Sequence, residues 1–152
     1  NDILMPDDWL KSMVHAASAI PNTGMCGIHC VESLGATKEI NGVTIHPHST
    51  AFGNVLIPMS AVKKIGYFNT DYDPYGMQDG DYAFRLSSTG HINYYLHNLK
   101  AEHIGSDAHL TERSEYRKMK DDGLNLCGEK WGRWTKLYDE TENYTIEFKE
   151  GP

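Results

Sequence analysis

Residues 53–85 read GNVLIPMSAVKKIGYFNTDYDPYGMQDGDYAFR, and the rest of the chain is interpreted around them. Val55-Leu56-Ile57 is a short apolar run bounded by Gly53 and Pro58, the signature of a buried strand. A glycine at that place marks a spot where another part of the molecule comes close to the backbone. Ser60 to Ile65 is long enough for one or two helical turns, with Ser60 as the expected N-cap and Gly66 as the C-cap. Asn69 to Met77 is an aromatic, acidic loop carrying Tyr72 and Tyr75. Asp79 to Ser88 is expected to be a helix closed by Thr89-Gly90. Strand, short helix, loop and helix in this order point to an α/β fold.

The flanks extend that pattern. Upstream, Pro6-Asp7-Asp8 opens a helix that carries Trp9, Leu10, Met13, Val14 and Ala17 and ends near Ile20. Met25 to Val31 is a second short buried strand, Ser33 to Gly42 a polar, mobile loop, and Val43-Thr44-Ile45 another short strand. Downstream, Ile92, Tyr94 and Leu96 alternate with Asn93, Tyr95 and His97, as in a strand with one wetter face. Leu99 to Ile104 continues as strand or loop. From Thr111 a charged helix runs through Lys120 and is broken at Gly123. Lys130 to Tyr138 forms a further helix with Trp131, Trp134 and Leu137 on one stripe, and Tyr144 to Phe148 alternates like an edge strand. The expected division is residues 1–108 as one unit and 109–152 as a helical C-terminal extension.

The 152 residues fit one domain, and 39% hydrophobic with 23% charged is ordinary globular usage. A net charge of -7 argues against nucleic acid or an anionic membrane as the main partner. No stretch reaches the roughly 18 apolar residues of a transmembrane segment. Cys26, Cys30 and Cys127 are too few, and odd in number, for a disulfide framework, so a reducing, cytoplasmic location is expected.

Three pieces in order carry a family resemblance: Asn1-Asp2 followed by Pro6 and Trp9-Leu10; Gly53 through Gly66-Tyr67-Phe68-Asn69 to Asp79, Asp81 and Arg85; and Ala101-Glu102-His103-Ile104-Gly105. This set resembles family 2 glycosyltransferases over residues 1 to about 105. The resemblance implies the C-terminal part of a nucleotide-diphospho-sugar transferase (A-type glycosyltransferase) fold, a mixed sheet flanked by helices. It implies an inverting enzyme that moves a sugar from a nucleotide-diphosphate donor, such as a UDP-sugar, to a hydroxyl of a glycan, lipid-linked or protein acceptor. Asp2, as the end of the family's aspartate-rich motif, and His103 would hold a divalent metal, Mn²⁺ or Mg²⁺. Hard cations of this kind favour carboxylate oxygens, and an imidazole is an adequate ligand for Mn²⁺. Asp79 would be the base that takes the acceptor proton. The family's glutamate before that base is Gln78 here, one charge fewer.

Each of these residues also has a structural use. Asp79 at a helix start is a natural N-cap. Asp81 is an acceptor-binding or structural residue, and Arg85, four residues on, suits an i,i+4 ion pair with it. Tyr72 and Tyr75 serve as sugar-stacking platforms or as core. His103 also reads as a surface loop residue.

No strand–Gly-rich turn–helix unit precedes Asp2, so the chain is expected to lack the nucleotide-binding N-terminal half. It is then expected to pair with that half or form a homo-oligomer through exposed sheet edges, and to bind sugar nucleotide weakly alone. Two other readings stand beside this one. One is a non-catalytic binding or scaffolding module; the other is a small zinc-binding module built on Cys26, Cys30 and histidines including His29, His46 and His48.

Overall fold

The computed structural model describes residues 3–30, 34–47, 52–105, 114–131, 135–138 and 144–147. It begins with a two-residue strand, β1 (Ile3–Leu4), and helix α1 (Trp9–Ala19). Of the apolar residues on α1, Met13 and Ala16 are buried, and Ile20 seals the end, whereas Trp9, Leu10 and Val14 face outward. The helix therefore packs by a narrower stripe than its sequence suggests.

The chain then enters β2 (Thr23–His29), buried from Thr23 through Ile28. Continuous burial is what a strand inside a sheet with both faces covered requires. β3 (Lys38–Ile40) and β4 (Val43–Pro47) form an antiparallel hairpin in place of the expected mobile loop over 33–42. Its turn is Asn41-Gly42, both left-handed at φ 50° and 79°. That conformation matches the twist of paired strands, and Asn-Gly is the pair that adopts it most cheaply.

Residues Phe52–Asn54 make a short 3₁₀ turn before β5 (Val55–Leu56), which is half-buried and shorter than expected. Gly53 lies close to another segment, as expected: a Cβ there would lie 2.8 Å from the tip of the Ile3 side chain, which would have to shift. Helix α2 (Met59–Ile65) starts one residue before Ser60, with Pro58 in the cap position, so Ser60 is not the cap. Gly66 ends it as expected. After a 3₁₀ turn at Thr70–Tyr72 come α3 (Gln78–Ser88), β6 (Ile92–Lys100) and β7 (Glu102–His103).

Five strands form one mixed sheet in the order β3-β4-β6-β2-β5. β2 and β6 run parallel, and every other neighbouring pair is antiparallel. Met13, Ala16 and Ile20 of α1 join Cys26, Ile28, Ile45, Tyr94 and Leu96 in one core. α2 and α3 join Met25 in a second, through Ala61, Tyr82, Ala83 and Leu86. Each fully buried large side chain contributes about 1.5–3 kcal/mol of transfer free energy. Asn93 links α3 to this sheet: its Oδ1 accepts the Met25 N–H at 3.0 Å and its Nδ2 donates to Ala83 O at 2.9 Å. The mixed sheet flanked by helices agrees with the α/β expectation.

The C-terminal region departs furthest from the sequence reading. A single helix, α4 (Ser114–Trp131), runs straight through Gly123, where a break was expected. β8 (Thr135–Tyr138) pairs antiparallel with β9 (Tyr144–Glu147), so the expected helix over 130–138 ends at Trp131 and gives way to strand. Trp134 lies outside the described residues. Among the described residues no helix is long and apolar enough to cross a membrane.

Candidate functional site

The first turn of α3 carries both carboxylates singled out in the sequence. The helix starts after Met77, which takes the cap position in a left-handed conformation with φ 64°. Asp79 is therefore inside the turn rather than its N-cap. It is half-buried, and its Oδ1 accepts the N–H of Gly80 at 2.8 Å.

Asp81 is wholly buried, at 0% exposure. Its Oδ2 accepts Arg85 Nε at 2.8 Å, the expected i,i+4 pair. Its Oδ1 receives three donors: Trp131 Nε1 at 2.8 Å, Lys130 Nζ at 3.1 Å and the Tyr72 hydroxyl at 3.3 Å. Burial alone would raise the Asp81 carboxyl. The Trp131 and Lys130 hydrogen bonds and the Arg85 charge outweigh it and hold the group below the ordinary carboxylate range. Tyr72 experiences the converse, its phenol pushed up by burial and by the Asp81 charge. Asp81 is thus a structural link between α3 and the residues that donate to it.

Arg85 extends the network back to α2. Its Nη1 donates to Ile65 O at 3.0 Å and its Nη2 to Tyr67 O at 2.9 Å. Gln78, standing where the resembling family has glutamate, closes the loop on itself. Its Nε2 donates to Tyr72 O at 2.9 Å and its Oε1 accepts the Gly76 N–H at 2.8 Å. A glutamate could not make the first of these, because it has no N–H₂. Tyr72 is buried with Phe84 and Cys127, so core packing is its use here. Tyr75 is exposed, and its hydroxyl accepts from Tyr116 of α4 at 2.9 Å.

At another place in the fold, β1 and β7 pair antiparallel, with Ile3 opposite His103 and Leu4 opposite Glu102. His103 is exposed on this ribbon. Asp2, the residue before Ile3, lies outside the described residues. The pairing sets Ile3 opposite His103; the resemblance links Asp2 and His103, not Ile3, to the metal.

The zinc reading fares differently. Cys26 sits in the core, and burial pushes its thiol up to about 12, with the Tyr94 hydrogen bond acting in the opposite direction. A protonated, buried thiol is a poor metal ligand. Cys30 is half-buried beside Asn54, whose amide also donates to Ile28 O. Among the described residues, no three His, Cys, Asp or Glu side chains stand together as a metal-binding group. His48 lies outside the described residues.

Two contacts were not legible beforehand. His46 Nε2 and His97 Nδ1 share a hydrogen bond at 2.8 Å across the β4–β6 pair, and His46, which burial drives below the usual imidazole range, is an internal residue. The strand pattern gave a signal for both histidines but none for their register. The second is the reach of Lys130 and Trp131 to Asp81, about which residues 50 apart in sequence carry no local signal.

Compared with models of known protein families, with curated proteins and with solved structures, the chain matches none.

Proposed function

We propose that the chain is the acceptor-side part of an inverting glycosyltransferase of family 2 type, with an A-type glycosyltransferase fold. The observation that carries this reading is the β1–β7 ribbon. Ile3, the residue after Asp2 in the sequence, pairs with His103, and Asp2 and His103 are the two residues the resemblance assigns to the metal. The mixed sheet and the half-buried carboxylate in the first turn of α3 are what the reading requires of the remainder.

The donor set fits a hard divalent cation in kind: a carboxylate at Asp2 and an imidazole at His103. When bound, Mn²⁺ or Mg²⁺ would neutralise charge gathering on the departing diphosphate. The chain's own contribution is Asp79. Its carboxylate takes the proton of the acceptor hydroxyl as that oxygen attacks the anomeric carbon of a nucleotide-diphosphate sugar such as a UDP-sugar. Direct displacement inverts the configuration. The acceptor is a hydroxyl of a glycan, a lipid-linked sugar or a protein.

The test is sugar transfer from UDP-sugars in the presence of Mn²⁺ by the full-length protein, wild type against Asp79→Asn. A loss of about 10²–10⁴-fold is expected for removal of a general base. Equal rates would remove Asp79 from the chemistry and favour a non-catalytic binding module.

A further inference from the structure

The network around Asp81 joins three elements that the sequence presents as separate: α2 with its following loop, the start of α3, and the end of α4. We propose that α4 is a positioning element for the candidate base, and that Lys130 and Trp131 act through Asp81 to hold the first turn of α3. This rests on the reading of Asp79 given above.

The geometry argues for positioning rather than general packing. Asp81 is two residues from Asp79 in the same helical turn. Its carboxylate is fully buried and takes donors from both sides, Arg85 from its own helix and Lys130 and Trp131 from α4. Arg85 is itself anchored on the carbonyls of Ile65 and Tyr67, so the clasp also fixes the entry to the 69–77 loop. The loop is pinned a second time where Gly76 meets Gly123: a Cβ on Gly123 would stand 2.6 Å from Gly76 O. That contact explains why a glycine sits in the middle of α4, at a cost of roughly 1 kcal/mol in helix propensity. Tyr75 and Tyr116 add a third link, with ring centroids 4.9 Å apart. Phe84 and Trp131, 5.8 Å between centroids, pack beside the buried carboxylate. A base must be held close to its productive position, and small displacements cost large factors in rate. In this chain the rigidity is supplied from a helix about 50 residues downstream.

The discriminating variant is Trp131→Phe in the full-length protein. It keeps an aromatic ring against Phe84 while removing the N–H donor to Asp81 together with part of the indole's volume. Amide hydrogen exchange followed by mass spectrometry reads the outcome peptide by peptide. Exchange over residues 69–82 is expected to quicken by about tenfold, the effect of losing roughly one charge-assisted hydrogen bond. Peptides from β2 and β6 are expected to stay unchanged. Unchanged exchange over 69–82, or equal acceleration everywhere, overturns the clasp. Lys130→Met, with its charge removed from an exposed helix end, is a milder second variant expected to loosen the same peptides.

Transfer kinetics supply the readout that simple stability would not move. Trp131→Phe is expected to lower kcat several-fold with the donor KM unchanged. A rise in donor KM at constant kcat would overturn positioning of the base. If the wild-type protein transfers no sugar, the glycosyltransferase reading fails, and exchange over 69–82 still decides whether α4 clasps α3.

Discussion

Asp79 and Asp81 share one helical turn and differ in almost everything else. Asp81 has no exposed surface and is met by four donors. Asp79 is half-buried and satisfied at one oxygen by its neighbour's N–H. A carboxylate surrounded by cations and hydrogen-bond donors is held as an anion and is a poor proton acceptor. A carboxylate with an accessible oxygen keeps that capacity. The lesson of the pair is that the turn divides its labour. On the proposed reading, the buried aspartate builds the site and the accessible one two positions away reacts.

Exchanging the two losses breaks the comparison most directly. Asp79→Asn is expected to abolish nearly all transfer, by about 10²–10⁴-fold, while leaving the denaturation midpoint close to wild type. If it unfolds the protein instead, the division of labour is wrong. Asp81→Ala is expected to act the other way, costing about 3 kcal/mol in urea denaturation. That is the low end for breaking a buried ion pair, because Arg85 and Lys130 keep some access to water. A change within about 0.5 kcal/mol would show that the network carries no stability.

Gly123 and Gly128 sharpen the same contrast from α4. Gly123→Ala is expected to destabilise by roughly 1–3 kcal/mol, since the new methyl meets Gly76 backbone. Gly128→Ala meets nothing within 4 Å and is expected to stabilise by up to about 1 kcal/mol through helix propensity. Opposite signs for two alanines in one helix, measured by thermal denaturation, isolate the docking contact from the helix itself.

Acid gives the smallest effect. The folded Asp81 carboxyl lies below its unfolded value, so the stability it contributes is fully present above the unfolded pKa of roughly 3.9. It is lost as pH falls through the folded value. Wild type is therefore expected to lose stability below about pH 4 more steeply than Asp81→Asn, by comparison of acid titrations followed by circular dichroism. Parallel titrations would mean that Asp81 is not the group being protonated.

Local physics explains which parts of this were legible. α1, β2, β4, α3 and β6 follow from apolar periodicity and from Pro and Gly punctuation, which act within a few residues. The i,i+4 pair of Asp81 and Arg85 is set by helix geometry alone. The hairpin at 38–47 had a local signal too, Asn41-Gly42, outweighed by the polar character of the residues before it. Gly123 misled for the opposite reason. Its backbone freedom suggests a break, yet its missing side chain is what the Gly76 contact requires. Ser60 lost the cap to Pro58, which is suited to a helix entrance because it needs no N–H partner.

By itself the sequence determined the elements α1, β2, β4, α3 and β6, the apolar character that buries them, and the pair of carboxylates at the start of one helix. Those are properties of neighbouring residues, fixed by rotamer, hydrogen-bond and periodicity rules that operate along the chain. Tertiary structure alone decided that Asp81 is the buried member and Asp79 the open one, that α4 supplies Lys130 and Trp131 to it, and that Ile3 lies against His103. Burial and partner choice depend on which distant segments pack together, and the free energy of a charge is set by those neighbours rather than by its place in the sequence.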